Sequence, residues 1–397
     1  MSKRALNRPD DQLLDHIRAN VRNMAPSGIV AAMKYGFGRE GMIPLWAGEG
    51  DLPTPDFICD AAARSLKAGE TFYTYQRGIP ELREALAAYH ARQFGVPHDP
   101  ERYFVVASGM QAIVMAFALT IGEGDEVLIP TPSWPNSGAA AEAASATPVY
   151  VPMDFGPEGF TLDIDKLARA VTPKTRTLFV NSPNNPTGWT ATKEELREIL
   201  ALARRHGLWV VADEVYNRFF YGDAPRAPSF HDVMQPDDRI LFVNTFSKNW
   251  AMTGWRVGWI EADPALGQAI ENLIQASTSG VAVFMQRACV VALEQGESFV
   301  AHQIGRARKG RDIAARLKDT GRVQLTPPAG AFYQFFAVDG ETDSRALAFR
   351  LIDEANIGLA PGAAFGPGAG RYMRLCFARS PESLGHAIDR LTQWLGR

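Results

Sequence analysis

The chain has 397 residues, enough to bury a sizeable core and, at roughly 150 residues per domain, to form about two or three domains. Hydrophobic residues make up 46%, charged residues 21%, and the formal net charge is −3, so the composition is that of an ordinary globular protein and speaks against a polyanion-binding one. The longest apolar run, residues 112–121, is too short to span a bilayer, and the basic residues near the start have no apolar run behind them, so neither a membrane segment nor a signal peptide is expected and the chain reads as cytoplasmic. Cys59, Cys289 and Cys376 are far apart, odd in number and without a CxxC pair, which reads as free thiols in a reducing compartment. The seven histidines show no HxxxH or HExxH spacing, so no protein-built metal site is expected.

Along the chain, short apolar and β-branched runs alternate with longer amphipathic patterns. Strands are predicted at 103–107, 126–129, 177–180, 208–212, 240–243 and 257–260, with helices at 110–120, 193–206 and 264–277. Such alternation implies βαβ units and a mainly parallel sheet, with ligands gathered beyond the carboxyl ends of its strands. Past about residue 285 the pattern changes. A long helical stretch leads to strands within 321–338 with a turn at 327–330, then a helix at 344–355 and a strand at 372–378. The expected architecture is an α/β large domain over residues 46–285 and a smaller, discontinuous α+β domain made of residues 1–45 and 286–397.

Four segments that follow predicted strands carry the chemistry. Ser108-Gly109-Met110 opens a helix, where free backbone N–H groups favour an anion. Asn181-Ser182-Pro183-Asn184-Asn185-Pro186-Thr187-Gly188 is a turn fixed by two prolines and a glycine, with amides beside it. Asp213 ends an apolar strand, and a carboxylate there needs a partner, because burying an unpaired charge is costly. Lys248 sits in Asn244-Thr245-Phe246-Ser247-Lys248-Asn249-Trp250, with Arg256 shortly after; partial burial would depress its pKa and favour nucleophilic use. Each segment alone has a plain structural reading: a strand-to-helix turn, a surface loop, a paired carboxylate, a snorkelling lysine. Together they suit one ligand, a phosphorylated pyridine aldehyde. The lysine would form an imine, the carboxylate would face a protonated ring nitrogen, and the arginine and hydroxyls would bind the phosphate.

With these motifs in this order, the sequence resembles the class I and II aminotransferases, pyridoxal 5′-phosphate (PLP) enzymes of fold type I, from Leu45 to about Ala378. The resemblance implies that Lys248 is the Schiff-base lysine and the base that moves a proton between substrate and cofactor carbons, that Asp213 pairs with the pyridinium nitrogen, and that Asn185 and Tyr216 bond the ring's phenolate oxygen. It implies that Trp134 stacks on the ring, and that Ser108, Gly109, Met110, Thr245, Ser247 and Arg256 form the phosphate shell. Tyr73 matches a tyrosine that reaches the phosphate of a neighbouring subunit, implying a homodimer with shared sites. Arg374 resembles the clamp for the substrate α-carboxylate, and Gly48 a glycine lining the substrate pocket. The reaction implied is amino-group transfer between an amino acid and a 2-oxo acid.

Departures bear on the substrate. Gly48-Glu49-Gly50-Asp51 stands where the family commonly reads Gly-Glu-Pro-Asp, which suggests a more flexible loop. In one aspartate-specific subgroup a lysine and a threonine occupy the positions of Met110 and Ile29. Their loss points to a neutral, apolar or aromatic amino acid rather than aspartate. The same fold and cofactor shell serve C–S lyases, cyclopropane-forming synthases, decarboxylases and oxidases, which are the alternatives. A PLP-binding transcriptional regulator is more remote, because about 45 residues precede the Gly-Glu-Gly-Asp segment and hold no helix-turn-helix. A nicotinamide enzyme ranks lower still, as no GxGxxG follows a strand.

Overall fold

The computed structural model describes residues 13–396; residues 1–12, part of the expected smaller domain, and residue 397 lie outside the described residues. The larger sheet has seven strands: β1 (Tyr103–Val106), β2 (Glu126–Thr131), β3 (Thr147–Pro152), β4 (Thr175–Asn181), β5 (Trp209–Asp213), β6 (Ile240–Thr245) and β7 (Gly258–Glu261), in the order β1-β7-β6-β5-β4-β2-β3. Strands β3, β2, β4, β5 and β6 pair in parallel, whereas β7 is antiparallel to both β6 and β1. The mainly parallel α/β sheet expected from the alternating pattern is present. Its inner strands β5, β6 and β7 are buried almost throughout, as strands covered on both faces must be.

Two features of the sheet escape the sequence pattern. Edge strand β3, Thr-Pro-Val-Tyr-Val-Pro, is half exposed and carries two prolines, so it shows no continuous apolar run; an edge accommodates prolines most readily. The direction of β7 is set by where its flanking segments pack. Of the predicted helices, Lys193–His206 forms as expected, started by a Thr192–Glu195 capping box and stopped by Gly207 at φ 65°. The helix expected from 264 divides into a 3₁₀ turn, Pro264–Leu266, and a helix, Gly267–Ser277.

The second sheet has four antiparallel strands in the spatial order Val323–Gln324, Tyr333–Val338, Tyr372–Cys376, Ala360–Pro361. Helices Glu297–Ala315, Ser344–Ala355 and Pro381–Leu395 supply Ala307, Leu347, Leu351, Leu384, Ile388 and Leu391 to the apolar core around it. The N-terminal segment joins this part of the chain: Ile43–Pro44 pairs in parallel with Ile357–Gly358, and Cys376 N–H donates to the Leu45 carbonyl at 2.9 Å. Among the described residues, no helix is long and apolar enough to cross a membrane.

Candidate active site

Asn181, Asp213 and Thr245 end β4, β5 and β6, and β7 begins at Gly258, so the antiparallel strand brings its first residue to the edge where the parallel strands finish. A cavity of about 520 Å³ opens there, walled on the other side by Trp46–Glu49, Tyr333 and Arg374. Of the residues singled out in the sequence, Gly48, Gly109, Met110, Trp134, Asn185, Asp213, Tyr216, Thr245, Ser247, Lys248, Arg256 and Arg374 line it.

Lys248 lies on the short helix Phe246–Asn249, which follows β6 directly and is capped by Thr245, whose Oγ1 accepts from Ser247 N–H at 3.1 Å. Lys248 Nζ donates to the Gly48 carbonyl at 2.8 Å. Burial brings its pKa down to about 8, because the ammonium is the form that loses hydration. Asp213 is 4% exposed and accepts only one weak bond, from Val215 N–H at 3.4 Å. Burial with so little compensation raises its pKa to about 7.

The prolyl turn is pinned from within. Asn184 Oδ1 accepts from Thr187 N–H and Oγ1–H at 3.1 and 2.8 Å, and Gly188 adopts φ 70° where an added Cβ would stand 2.1 Å from Pro328 Cβ. Asn181 ties this turn to the neighbouring strand end: its Nδ2 donates to the Asp213 carbonyl at 3.0 Å and its Oδ1 accepts from Asn185 N–H at 2.8 Å. Asn185 Oδ1 in turn accepts from Arg374 Nη1 at 2.9 Å. Arg374 is 2% exposed, donates through Nη2 to the Trp46 carbonyl and lies over the Tyr333 ring at 4.6 Å. Tyr333 and Tyr216 share a hydroxyl–hydroxyl bond of 2.8 Å, and burial pushes the pKa of both phenols up. A Cβ on Gly48 would stand 2.8 Å from the Tyr333 hydroxyl, which explains the glycine. Neighbouring Asp51 is held at Ser380 N–H (2.5 Å) and Arg306 (2.9 Å), so the loop that follows Gly48 is anchored despite Gly50.

At the opposite end, the helix Gly109–Thr120 points its N-terminus at the cavity. Gly258 lets backbone close in behind it: an added Cβ would meet Asn244 O, Gly109 N and Ser108 C, each at 2.7 Å. Arg256 reaches the cavity from a left-handed backbone conformation, φ 55°, with Nη1 on the Thr253 carbonyl at 2.6 Å. Two expected residues lie outside the cavity. Ser108 does not line the cavity; its hydroxyl caps the helix by accepting from Gln111 N–H at 3.0 Å. Tyr73 is 94% exposed and outside the cavity. Sequence reasoning missed Asn181 and Tyr333 as site residues. Asn181 carried a usable signal, its place at a strand end before the prolyl turn, whereas Tyr333 opens the strand Tyr333–Val338 with none.

These donors match PLP end by end. An under-compensated buried carboxylate suits a protonated pyridine nitrogen, helix N–H groups with Arg256 and the Thr245 and Ser247 hydroxyls suit a phosphate dianion, and a lysine of lowered pKa suits an aldehyde. The comparisons agree. The family model for aminotransferase class I and II matches residues 40–391. The aspartate aminotransferase of Thermotoga maritima is 36% identical over 357 residues, 90% of this chain and 92% of that protein. The aromatic-amino-acid aminotransferase 2 of Thermococcus litoralis is 35% identical over 375 residues, 93% of this chain and 96% of that protein. A solved Thermus thermophilus aspartate aminotransferase mutant superposes with a TM-score of 0.88 at 34% identity, covering 95% of this chain and 99% of that one. The chain thus belongs to the class I and II aminotransferases and is a pyridoxal-phosphate-dependent enzyme of fold type I that moves amino groups.

Proposed function

We propose that this aminotransferase prefers a neutral, apolar or aromatic amino acid to aspartate. One observation carries the reading. Among the described residues that line the cavity, the cations are Lys248, Arg256 and Arg374, and each is taken by imine formation, phosphate or α-carboxylate. None remains for a second carboxylate, and the free wall includes Ile29, Val30, Met33, Met110 and Ile113. That wall suits an apolar side chain, since a carboxylate left there unpaired would lose its hydration without recompense. The names of the relatives include both aspartate and aromatic aminotransferases, so the wall and not the family carries the distinction. Steady-state kcat/KM for phenylalanine and leucine should exceed that for aspartate at least tenfold; a preference for aspartate would overturn the reading.

In this reading the bound PLP supplies an electron sink for the substrate's Cα–H bond. Lys248 Nζ, in its neutral form, would take the proton from the substrate's Cα. Asp213 holds the proton of the ring nitrogen, and the pyridinium charge in turn offsets the burial that raises its pKa. Asn185 and Tyr216 donate to the ring's phenolate oxygen, with Tyr333 orienting the Tyr216 hydroxyl. Arg374 presents its guanidinium fork to the α-carboxylate, a planar task that lysine performs poorly. Trp134 stacks on the ring, and Gly48 leaves the room that a side chain would fill.

The chain would work as a cytoplasmic homodimer. Phe72, Tyr73 and Tyr75 are 84%, 94% and 66% exposed, and so exposed an aromatic group fits a surface that a second copy covers, carrying Tyr73 to the other copy's phosphate. The large domain would be residues 46–285 and the small one residues 1–45 with 286–397; the pairing of Ile43–Pro44 with Ile357–Gly358 supports that discontinuous assignment.

A further inference from the structure

Glu261 closes β7 at the end away from the cavity. Gly258 pairs with Thr245 at the cavity edge, and Glu261 pairs with Tyr103 and Phe242, about 10 Å along the strand. Its side chain is 0% exposed, and three imidazoles converge on it. His90 comes from the helix Pro80–Phe94, His98 from the segment after that helix, and His231 from the turn Phe230–Asp232; their side chains are 4%, 6% and 6% exposed. The ring centroids are 5.5 Å (His90–His98), 5.8 Å (His90–His231) and 5.2 Å (His98–His231) apart.

Glu261 Oε2 stands 3.1 Å from His231 Nε2 and 3.4 Å from His90 Nδ1. Neither contact is aligned as a hydrogen bond. His231 Nε2, both ring nitrogens of His90, His98 Nε2 and Glu261 Oε2 all lack a hydrogen-bond partner. A buried polar atom without a partner is costly, so such a concentration at one point needs a reason. The spacing supplies one. Two ligands of a tetrahedral zinc ion, each at about 2.0–2.2 Å from the metal, lie roughly 3.3–3.5 Å from each other. One donor atom each of His90, His231 and Glu261 can be chosen with all three inside 4.8 Å of one another.

We propose that His90, His231 and Glu261 form a structural site for a divalent transition metal, zinc before others. Imidazole nitrogens with one carboxylate suit zinc and disfavour magnesium or calcium, which take oxygen ligands. The surroundings orient the donors. Tyr103 Oη lies 3.0 Å from His98 Nδ1, so His98 packs beside the site as a neighbour, and Arg102 Nε donates to Glu261 Oε1 at 3.0 Å, which leaves Oε2 for the metal. The Arg102 charge opposes a cation. Glu214, buried and held by Ser229 Oγ at 2.7 Å and Phe230 N–H at 3.1 Å beside His231, is a further carboxyl close to the site. Three buried donors brought together from a helix, a turn and a strand, away from the substrate cavity, describe a site that staples chain segments together. The absence of short histidine spacings misleads here, because the donors come from three separate elements.

The test uses the full holoenzyme with any affinity tag removed, equilibrated with zinc chloride and passed into metal-free buffer. Mass spectrometry of the metal should find about one zinc per chain, falling at least tenfold in His231→Gln. Equal zinc in the variant, or a trace in the parent, overturns the proposal. If His231→Gln does not fold, crystals of the unaltered holoenzyme grown with zinc decide: an anomalous peak among His90, His231 and Glu261, within about 2.0–2.2 Å of the donor atoms, is the expected result, and no peak there refutes it.

Discussion

Replacing Met110 by lysine puts a cation on the one stretch of cavity wall that has none. Met110 is the second residue of the helix Gly109–Thr120 and lines the cavity beside Ile113 and Ile29. Two opposed terms set the outcome. A lysine in the first turn meets the positive end of the helix dipole, which costs about 0.3–1 kcal/mol. A charge-assisted bond from its ammonium to the side-chain carboxylate of aspartate contributes about 1.5–3 kcal/mol. The net, about 0.5–2.7 kcal/mol, corresponds to a rise in kcat/KM for aspartate of roughly 2- to 100-fold. For phenylalanine the same ammonium must be desolvated against a ring, so kcat/KM should fall. The assay is steady-state kinetics of Met110→Lys with both donors, alongside the cofactor's absorbance to show that the phosphate cradle next door is intact. A variant with unchanged absorbance and an unchanged aspartate-to-phenylalanine ratio would refute the view that this wall reads the side chain.

Arg374→Lys keeps the charge but loses the fork that spans Asn185 and Trp46; kcat/KM should fall about 10- to 150-fold for every amino donor alike, matching about 1.5–3 kcal/mol, with the cofactor spectrum unchanged. A loss confined to one donor would remove Arg374 from the shared α-carboxylate contact. The pH dependence of cofactor capture follows from Lys248, whose pKa burial lowers from 10.5 to about 8. Its amine is therefore neutral and nucleophilic in the folded apoenzyme above about pH 8, while in the unfolded chain it still binds a proton up to 10.5. The unfolded state then binds more protons across that window, so this group's contribution to stability rises with pH from 8 to 10.5. The rate of PLP uptake by apoenzyme should climb through about pH 8; an inflection near 10.5 would show an amine that is not desolvated.

Much of the site is legible in the sequence because its chemistry is local. Asp213 and Lys248 each follow a continuous apolar run, and a buried strand in a parallel sheet leaves just such a run, so the residues at its end declare themselves as rim residues. The prolyl turn is likewise set by its own side chains, Asn184 bonding Thr187 three positions on. What the sequence could not determine depends on side chains meeting across the fold. The Tyr216–Tyr333 bond joins residues 117 positions apart, and Asn181 works by holding two strand ends together. The half-exposed strand Thr147–Pro152 has no unbroken apolar period to read, and the direction of Gly258–Glu261 is chosen by packing. Val30 and Met33 reach the cavity because the helix Gly28–Gly36 packs over it, and the three histidines meet Glu261 because the strand ends, the helix Pro80–Phe94 and the turn Phe230–Asp232 converge. Backbone propensity and turn chemistry act over a few residues and are written in the chain; burial and side-chain contact act through space, and tertiary structure alone decides them.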